Sequence, residues 1–190
     1  MWCSTRWPAE AARAATLALA LTLSLLLPAA QALAHPELPG SRLQGEATLK
    51  FFGLRVYHAR LWTLPDYRVS QPVDQPLVLE LEYLRELKGP LIAERSLKEM
   101  RRGGQISDAQ AERWLAEMQR IFPDVKAGDR ISGQHLPGRG ARFWHNGRLA
   151  GQIDDPAFAR LFFGIWLAPS TSEPDMRLAL LGQAGSGTSR

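Results

Sequence analysis

The residues able to do chemistry in this chain are few and scattered. Four histidines, His35, His58, His135 and His145, could ligate a metal or move protons near neutral pH, yet three of them stand isolated on strand-like segments, where a histidine is ordinarily structural or exposed. Glu80 and Glu82 alternate with leucines, a pattern that places them on the solvent side of a strand rather than as a catalytic pair. Asp154-Asp155 looks like a paired acid site, but Pro156 follows it, and a carboxylate before a proline reads as a helix cap. Arg101-Arg102 before Gly103-Gly104 complements the end of a helix dipole. No serine sits in a nucleophile elbow, no glycine-rich loop could cradle a phosphate, and Gly138-Arg139-Gly140 reads as a turn before a strand. No cofactor is expected.

The N-terminal segment has the composition of a targeting signal. Arg6 and Arg13 form a basic stretch, Ala14 to Leu27 is apolar apart from Thr16, Thr22 and Ser24, and Ala32-Leu33-Ala34 supplies the small residues of a cleavage site. This predicts a secretory signal peptide over residues 1–34, cleaved after Ala34 or, through Ala30-Gln31-Ala32, after Ala32, and a periplasmic protein. The apolar run falls short of the ~20 residues that a span needs, so no stable membrane span is expected after cleavage. Cleavage also removes Cys3, the sole cysteine, and with it thiol nucleophiles, disulfides and thiolate metal sites. Without Arg6, Arg13 and Glu10 the balance is 21 basic to 18 acidic residues, a net charge of +3. Mixed pairs such as Arg85-Glu86, Glu94-Arg95 and Glu112-Arg113 describe a solvated surface rather than a phosphate-tracking stripe, so no nucleic-acid partner is expected.

With 190 residues, 45% of them hydrophobic, and no repeat period, the chain is sized for one domain with a real core. Residues 43–51 and 54–63 read as strands parted near Gly53; in the second, Leu54, Val56, His58, Arg60 and Trp62 alternate with Arg55, Tyr57, Ala59 and Leu61. Leu77, Leu79, Leu81 and Tyr83 share one face of a third strand. Pro90 opens a helix carrying Leu91, Ile92, Leu97 and Met100 to the Gly103-Gly104 stop. Ser107 and Gln110 have capping-box spacing before Ala111, Trp114, Leu115, Met118 and Ile121, and Pro123 ends that helix. Residues 129–153 are strand-like again, with Asn146-Gly147 as a two-residue hairpin turn. Asp155 then caps a helix bearing Phe158, Leu161, Phe162, Ile165 and Trp166. Ser172 with Asp175 repeats the cap spacing before a short helix stopped at Gly182, and the Gly/Ser-rich residues 183–190 read as a disordered tail. The order predicts an α+β domain over 35–182, an antiparallel sheet with helices layered on one face.

Particular motifs add to this. Lys50-Phe51-Phe52 with Val56-Tyr57, Ile106-Ser107-Asp108-Ala109-Gln110-Ala111, Phe122-Pro123 and Ala127-Gly128 follow in the order of the K-F-T-x-x-x-V-Y strand, the T-D-A-E-A helix opening and the F-P-P-G turn of chalcone isomerases. Gly128-Asp129-Arg130, the Asn146-Gly147 hairpin, Ile165-Trp166-Leu167 and Leu180-Leu181-Gly182 resemble the bacterial secreted branch, the chalcone isomerase-like proteins. The resemblance covers residues 42–182.

The resemblance implies either of two activities. Plant isomerases close a chalcone by adding a phenolate to an enone, using an arginine, a threonine and a tyrosine near the carbonyl and further polar residues in the cleft; a related branch binds fatty acids. Carried over by position, the threonine falls on Phe52, the tyrosine on Ile92, a lysine on Arg95 and an asparagine near Glu99. The arginine falls beside Gly40, with Arg42 as its substitute, and a C-terminal hydroxyl falls near Thr171 or Ser172; Tyr57 or Tyr83 could replace a lost donor. Losing transition-state donors at Phe52 and Ile92 costs on the order of 10²-fold or more each. The same replacements make the cleft apolar, with Arg42 or Arg95 beside it, and Phe158, Phe162 and Trp166 could form one wall. The resemblance therefore implies a non-catalytic protein that binds a small amphiphile such as a fatty acid, with an isomerase on a chalcone-like enone as the alternative. A further alternative rests on cleavage after Ala34, which would leave His35 as an N-terminal residue able to chelate copper with a second histidine. Otherwise no metal site is expected.

Overall fold

Six strands follow one another across a single antiparallel sheet in chain order: β1 (Arg42–Phe51), β2 (Leu54–Thr63), β3 (Leu77–Tyr83), β4 (Arg130–Leu136), β5 (Gly140–His145) and β6 (Arg148–Ile153). The computed structural model describes Met1 and residues 34–184. Two helices, α1 (Gly89–Gly103) and α2 (Asp108–Ile121), interrupt the meander between β3 and β4, and α3 (Pro156–Leu167) and α4 (Pro174–Leu180) follow it. Residues 34–184 lie in one compact unit, and its core cluster runs from Ala59 to Leu181. Residues 2–33 of the expected leader, Cys3 among them, lie outside the described residues, as does the tail from residue 185.

Strand alternation sets the layers. Ala59 and Leu61 of β2, Leu79, Leu81 and Tyr83 of β3, and Phe143 of β5 are buried in the cluster that also holds Phe158, Phe162 and Phe163 of α3. The reverse face is not bare. There Val78 is fully buried, the His35 ring lies 5.6 Å from that of Trp62, and Gln134 Nε2 donates to the Glu37 carbonyl at 2.6 Å. Glu80 and Glu82, expected to face solvent, are instead half-buried there, both accepting from Arg60 Nη1, at 3.1 and 3.0 Å. Hydrogen bonding to His35, followed by that to Arg60, outweighs burial and lowers the Glu80 pKa.

The capping signals are realised with one exception. Ser107 and Gln110 form a complete capping box. Asp155 Oδ1 accepts from the Ala157 and Phe158 backbone N–H groups, while its Oδ2 accepts from Trp114 Nε1 at 2.9 Å, tying α2 to the start of α3. Burial opposes ionisation of Asp155, but these bonds and Arg113 outweigh it and hold its pKa low. The exception is α4: its N-cap is Glu173, without a side-chain cap bond, so Ser172 does not cap it. In α1 the inner face is Ala93, Ser96, Leu97 and Met100, and Leu91, expected on the apolar stripe, turns outward.

Two tight hairpins use residues with positive φ. Asn146 and Gly147 adopt φ of 49° and 76°, as the sequence predicts. Phe52 and Gly53, with φ of 47° and 78°, make a similar turn between β1 and β2, and here an aromatic residue occupies the left-handed conformation that normally suits Asn or Gly. At the other end of β1, a Cβ on Gly45 would lie 2.2 Å from the Ala179 carbonyl oxygen, so its absence lets α4 rest directly on the strand.

Candidate functional site

A cavity of about 340 Å³ opens between one end of the sheet and the helices. Leu49 and Phe51 of β1, Tyr57 of β2 and Tyr83 of β3 form its floor. Ile92, Arg95 and Glu99 of α1 form one side, because residues 92, 95 and 99 share a helix face. Phe162, Ile165 and Trp166 of α3 form another, and the loop residues Ser172 and Glu173 close an end. The wall is mostly apolar, and the polar groups are few.

Those polar groups are specifically arranged. Tyr57 and Tyr83 face each other across the β2–β3 pair, their rings 6.0 Å apart at 72°. Trp166 Nε1 donates to the Tyr57 hydroxyl at 2.9 Å, so the phenol's own proton is left for another acceptor. No described residue makes a hydrogen bond to the Tyr83 hydroxyl. Burial is the chief cause raising both phenol pKa values, well above the usual tyrosine range, so each is a neutral donor across the physiological range.

Arg95 Nη2 lies 2.8 Å from Glu99 Oε1, an i,i+4 pair, with its guanidinium 5.9 Å from the Phe51 ring centroid. Glu99 is buried, and its Oε2 has no hydrogen-bond partner although Arg102 Nε lies 3.7 Å away. The cavity thus offers donors from Tyr57, Tyr83, Arg85 and Arg95, and one open buried acceptor on Glu99.

Of the residues singled out in the sequence, Tyr57, Ile92, Arg95, Glu99 and Ser172 come together around this cavity. Thr171 lies beside it and is held in place by two bonds. Its Oγ1 donates to the Ile165 carbonyl at 2.7 Å and accepts from the Glu173 N–H at 3.1 Å, fixing the loop that carries Ser172. Arg42 begins β1 at the opposite end from the β1–β2 turn, with Nη2 3.4 Å from the Pro65 carbonyl oxygen. Phe52 stands on that turn outside the cavity, 90% exposed. Phe162 and Trp166 form the expected wall, whereas Phe158 is fully buried beneath it against Trp114 and Phe143. Tyr83, offered with Tyr57 as a replacement donor, lines the cavity opposite it in the β2–β3 register, and Arg85 lines it without having been placed there from the sequence.

The histidines remain apart. His35 pairs with Glu37 and Glu80, and its backbone N–H donates to Ser41 Oγ; His58 bonds Thr48 and Glu46; His135 bonds the Gln75 carbonyl; His145 lies beside Asn146. Among the described residues no group of three or more His, Cys, Asp or Glu side chains could hold a metal ion.

The sheet order, the helix insertions and the position of the cavity can be compared with known proteins. The family model for chalcone isomerase-like proteins matches residues 29–182. This chain belongs to the chalcone isomerase-like family. A solved fatty-acid binding protein of Arabidopsis thaliana superposes with a TM-score of 0.59 over 81% of this chain and 97% of that one, at 13% identity, a likeness of fold. An uncharacterized protein of Haemophilus influenzae is 33% identical over 116 residues, 61% of this chain, and the match spans 56% of that relative's length. Phe52 stands on an exposed turn, and Ile92 puts an apolar side chain in the cavity wall. Among the described residues no helix is long and apolar enough to cross a membrane.

Proposed function

We propose that this chalcone isomerase-like protein is a non-catalytic carrier of a small amphiphile, of which a fatty acid is the type, working in the periplasm after removal of residues 1–34. The observation that supports it is a mostly apolar cavity of about 340 Å³, of ligand-site size, whose polar groups gather around Tyr57, Arg95 and Glu99. An alkyl tail would lie against Leu49, Ile92, Phe162 and Ile165. Arg95 already answers Glu99, so its end of the cavity carries hydrogen-bond donors and one open acceptor. A carboxylic-acid head suits that set, having an oxygen for Tyr57 or Arg95 and an exchangeable proton for Glu99. That a protein of this fold from Arabidopsis thaliana is a fatty-acid binding protein lends the reading further support.

The test uses a dansyl-labelled undecanoic acid titrated into the chain from His35 onward, with organic extracts of the purified protein examined by mass spectrometry. Saturable fluorescence enhancement is expected, together with an at least tenfold loss of affinity in Ile92→Trp, which fills the cavity. Absence of saturable uptake by folded protein, or an Ile92→Trp variant that binds like the parent, refutes the reading.

A further inference from the structure

The cavity mouth is surrounded by apolar side chains that the fold leaves in water. Phe51, Phe52, Leu54 and Leu91 are 52%, 90%, 54% and 59% exposed, and they are half of the exposed large hydrophobic residues among the described residues. They belong to two places that meet at the opening: the β1–β2 turn, and the first turn of α1. Phe51 and Leu91 belong to both the surface patch and the cavity wall. An isolated exposed leucine needs no explanation, but a group of this kind beside a ligand-sized opening marks an interaction surface.

The turn is built to present an aromatic ring. Phe52 holds φ at 47°, where Asn or Gly would fit without strain, and its ring packs edge-on against Phe51 at 4.5 Å between centroids. Register then places charge directly behind the apolar tip. Phe51 opposes Leu54 as the last pair of the hairpin, and Lys50 opposes Arg55 as the pair before it. Lys50, Arg55 and the cavity-lining Arg85 are exposed and form no ion pair among the described residues, whereas the neighbouring Glu86 is paired with Lys88. An apolar wedge backed by unpaired basic residues matches the profile of a membrane interface: rings enter the acyl boundary while lysine and arginine meet anionic head groups.

We propose that the β1–β2 hairpin tip and Leu91 form a docking surface for an anionic lipid bilayer, with Phe52 inserted and the cavity mouth held against the membrane. Resting on the reading of the cavity as an amphiphile site, the surface is the portal through which ligand passes between bilayer and cavity without crossing water. The chemistry recognised is an anionic phospholipid surface, not a particular protein.

The chain from His35 onward is sedimented with vesicles of pure phosphatidylcholine and with vesicles containing one part phosphatidylglycerol to two parts phosphatidylcholine. Binding is expected to the mixed vesicles, falling as salt is raised. Phe52→Asn, which suits the turn and should melt no lower than the parent, is expected to weaken vesicle binding at least tenfold. Lys50→Glu with Arg55→Glu should abolish the preference for phosphatidylglycerol. Neither change touches the cavity wall, so solution affinity for dansyl-undecanoic acid should stay within twofold of the parent. Vesicle binding that is lost while dye binding persists carries the proposal and the carrier reading together; vesicle binding without dye binding sinks the carrier reading alone. No binding to either vesicle, equal binding by Phe52→Asn, or a patch occupied by a second copy, seen as a dimer by light scattering that Phe52→Asn dissolves, overturns the docking proposal.

Discussion

The bond between Trp166 and Tyr57 permits a quantitative test of the cavity's construction. In Tyr57→Phe the ring and its edge contact with Tyr83 remain, but the Trp166 indole N–H, in a side chain only 7% exposed, loses its acceptor at 2.9 Å. A buried donor left without a partner costs about 1–3 kcal/mol. For a domain of this size each kcal/mol shifts the melting temperature by about 2–4 °C, so the variant should melt roughly 2–12 °C lower. Removing both partners in Tyr57→Phe/Trp166→Phe eliminates the orphaned donor, so the double variant should be less destabilised than the sum of the singles by about 1 kcal/mol or more. The same change deletes a donor to the ligand, worth about 0.5–1.5 kcal/mol, or a roughly 2- to 12-fold loss of dansyl-undecanoate affinity. Thermal melts followed by circular dichroism and fluorescence titrations on the four proteins measure all of this. A Tyr57→Phe melt within about 1 °C of the parent, with additive singles, would refute the reasoning that this bond organises the site.

Four further outcomes are expected. In Glu99→Gln the charge opposing a ligand carboxylate is gone, so fatty-acid affinity should rise several-fold at pH 8 and less at pH 5.5; equal gains at both would contradict a carboxyl head beside Glu99. Asp155→Ala removes a helix cap worth about 1 kcal/mol and orphans Trp114 Nε1, so urea denaturation should show a loss of about 2 kcal/mol or more, and a loss below about 0.5 kcal/mol would be too small for the three bonds seen. Burial lowers the His135 pKa, so the unfolded chain takes up protons that the folded one refuses; His135's contribution is whole above the unfolded value near ~6.5 and declines as pH falls below it. The urea midpoint should therefore drop between pH 7.5 and 5.5, and His135→Gln should flatten that drop. Mixed with a chalcone, the protein should leave the enone absorbance decaying at the buffer rate, since Phe52 supplies no hydroxyl and Ile92 none to the cavity; decay abolished by Tyr57→Phe would revive the isomerase alternative.

Local signals in the sequence were informative where the physics is local. The Ser107–Gln110 box and Asp155 cap act within three residues, and the Asn146-Gly147 turn needs only its own φ angles, so each is readable from the residues themselves. Position-matching to a family picked out Ile92, Arg95 and Glu99, which helix geometry puts on one side of α1. The same matching failed for two others: Arg42 and Phe52 sit ten residues apart on one strand and its turn, yet occupy opposite ends of β1, with only Phe52 near the opening. The exposed Leu91 shows the same limit, because an apolar residue on a helix can face a core, a cavity mouth or water.

The sequence by itself determined the scaffold: alternation, turns and caps specify an antiparallel sheet interrupted and followed by helix pairs, and motif order specifies the family. Only the tertiary structure decided the site. Burial of Glu80 depends on His35 and Arg60 converging from separate segments, the Tyr57–Tyr83 pair depends on strand register, and the Trp166 bond joins residues 109 positions apart. The cavity exists because β1–β3, α1 and α3 fail to close at one end, and that is a property of how elements pack rather than of any run of residues. Phe52 illustrates both sources together: its position in the motif suggested a lost catalytic group, while its exposure and φ place it on a surface where an aromatic ring meets water.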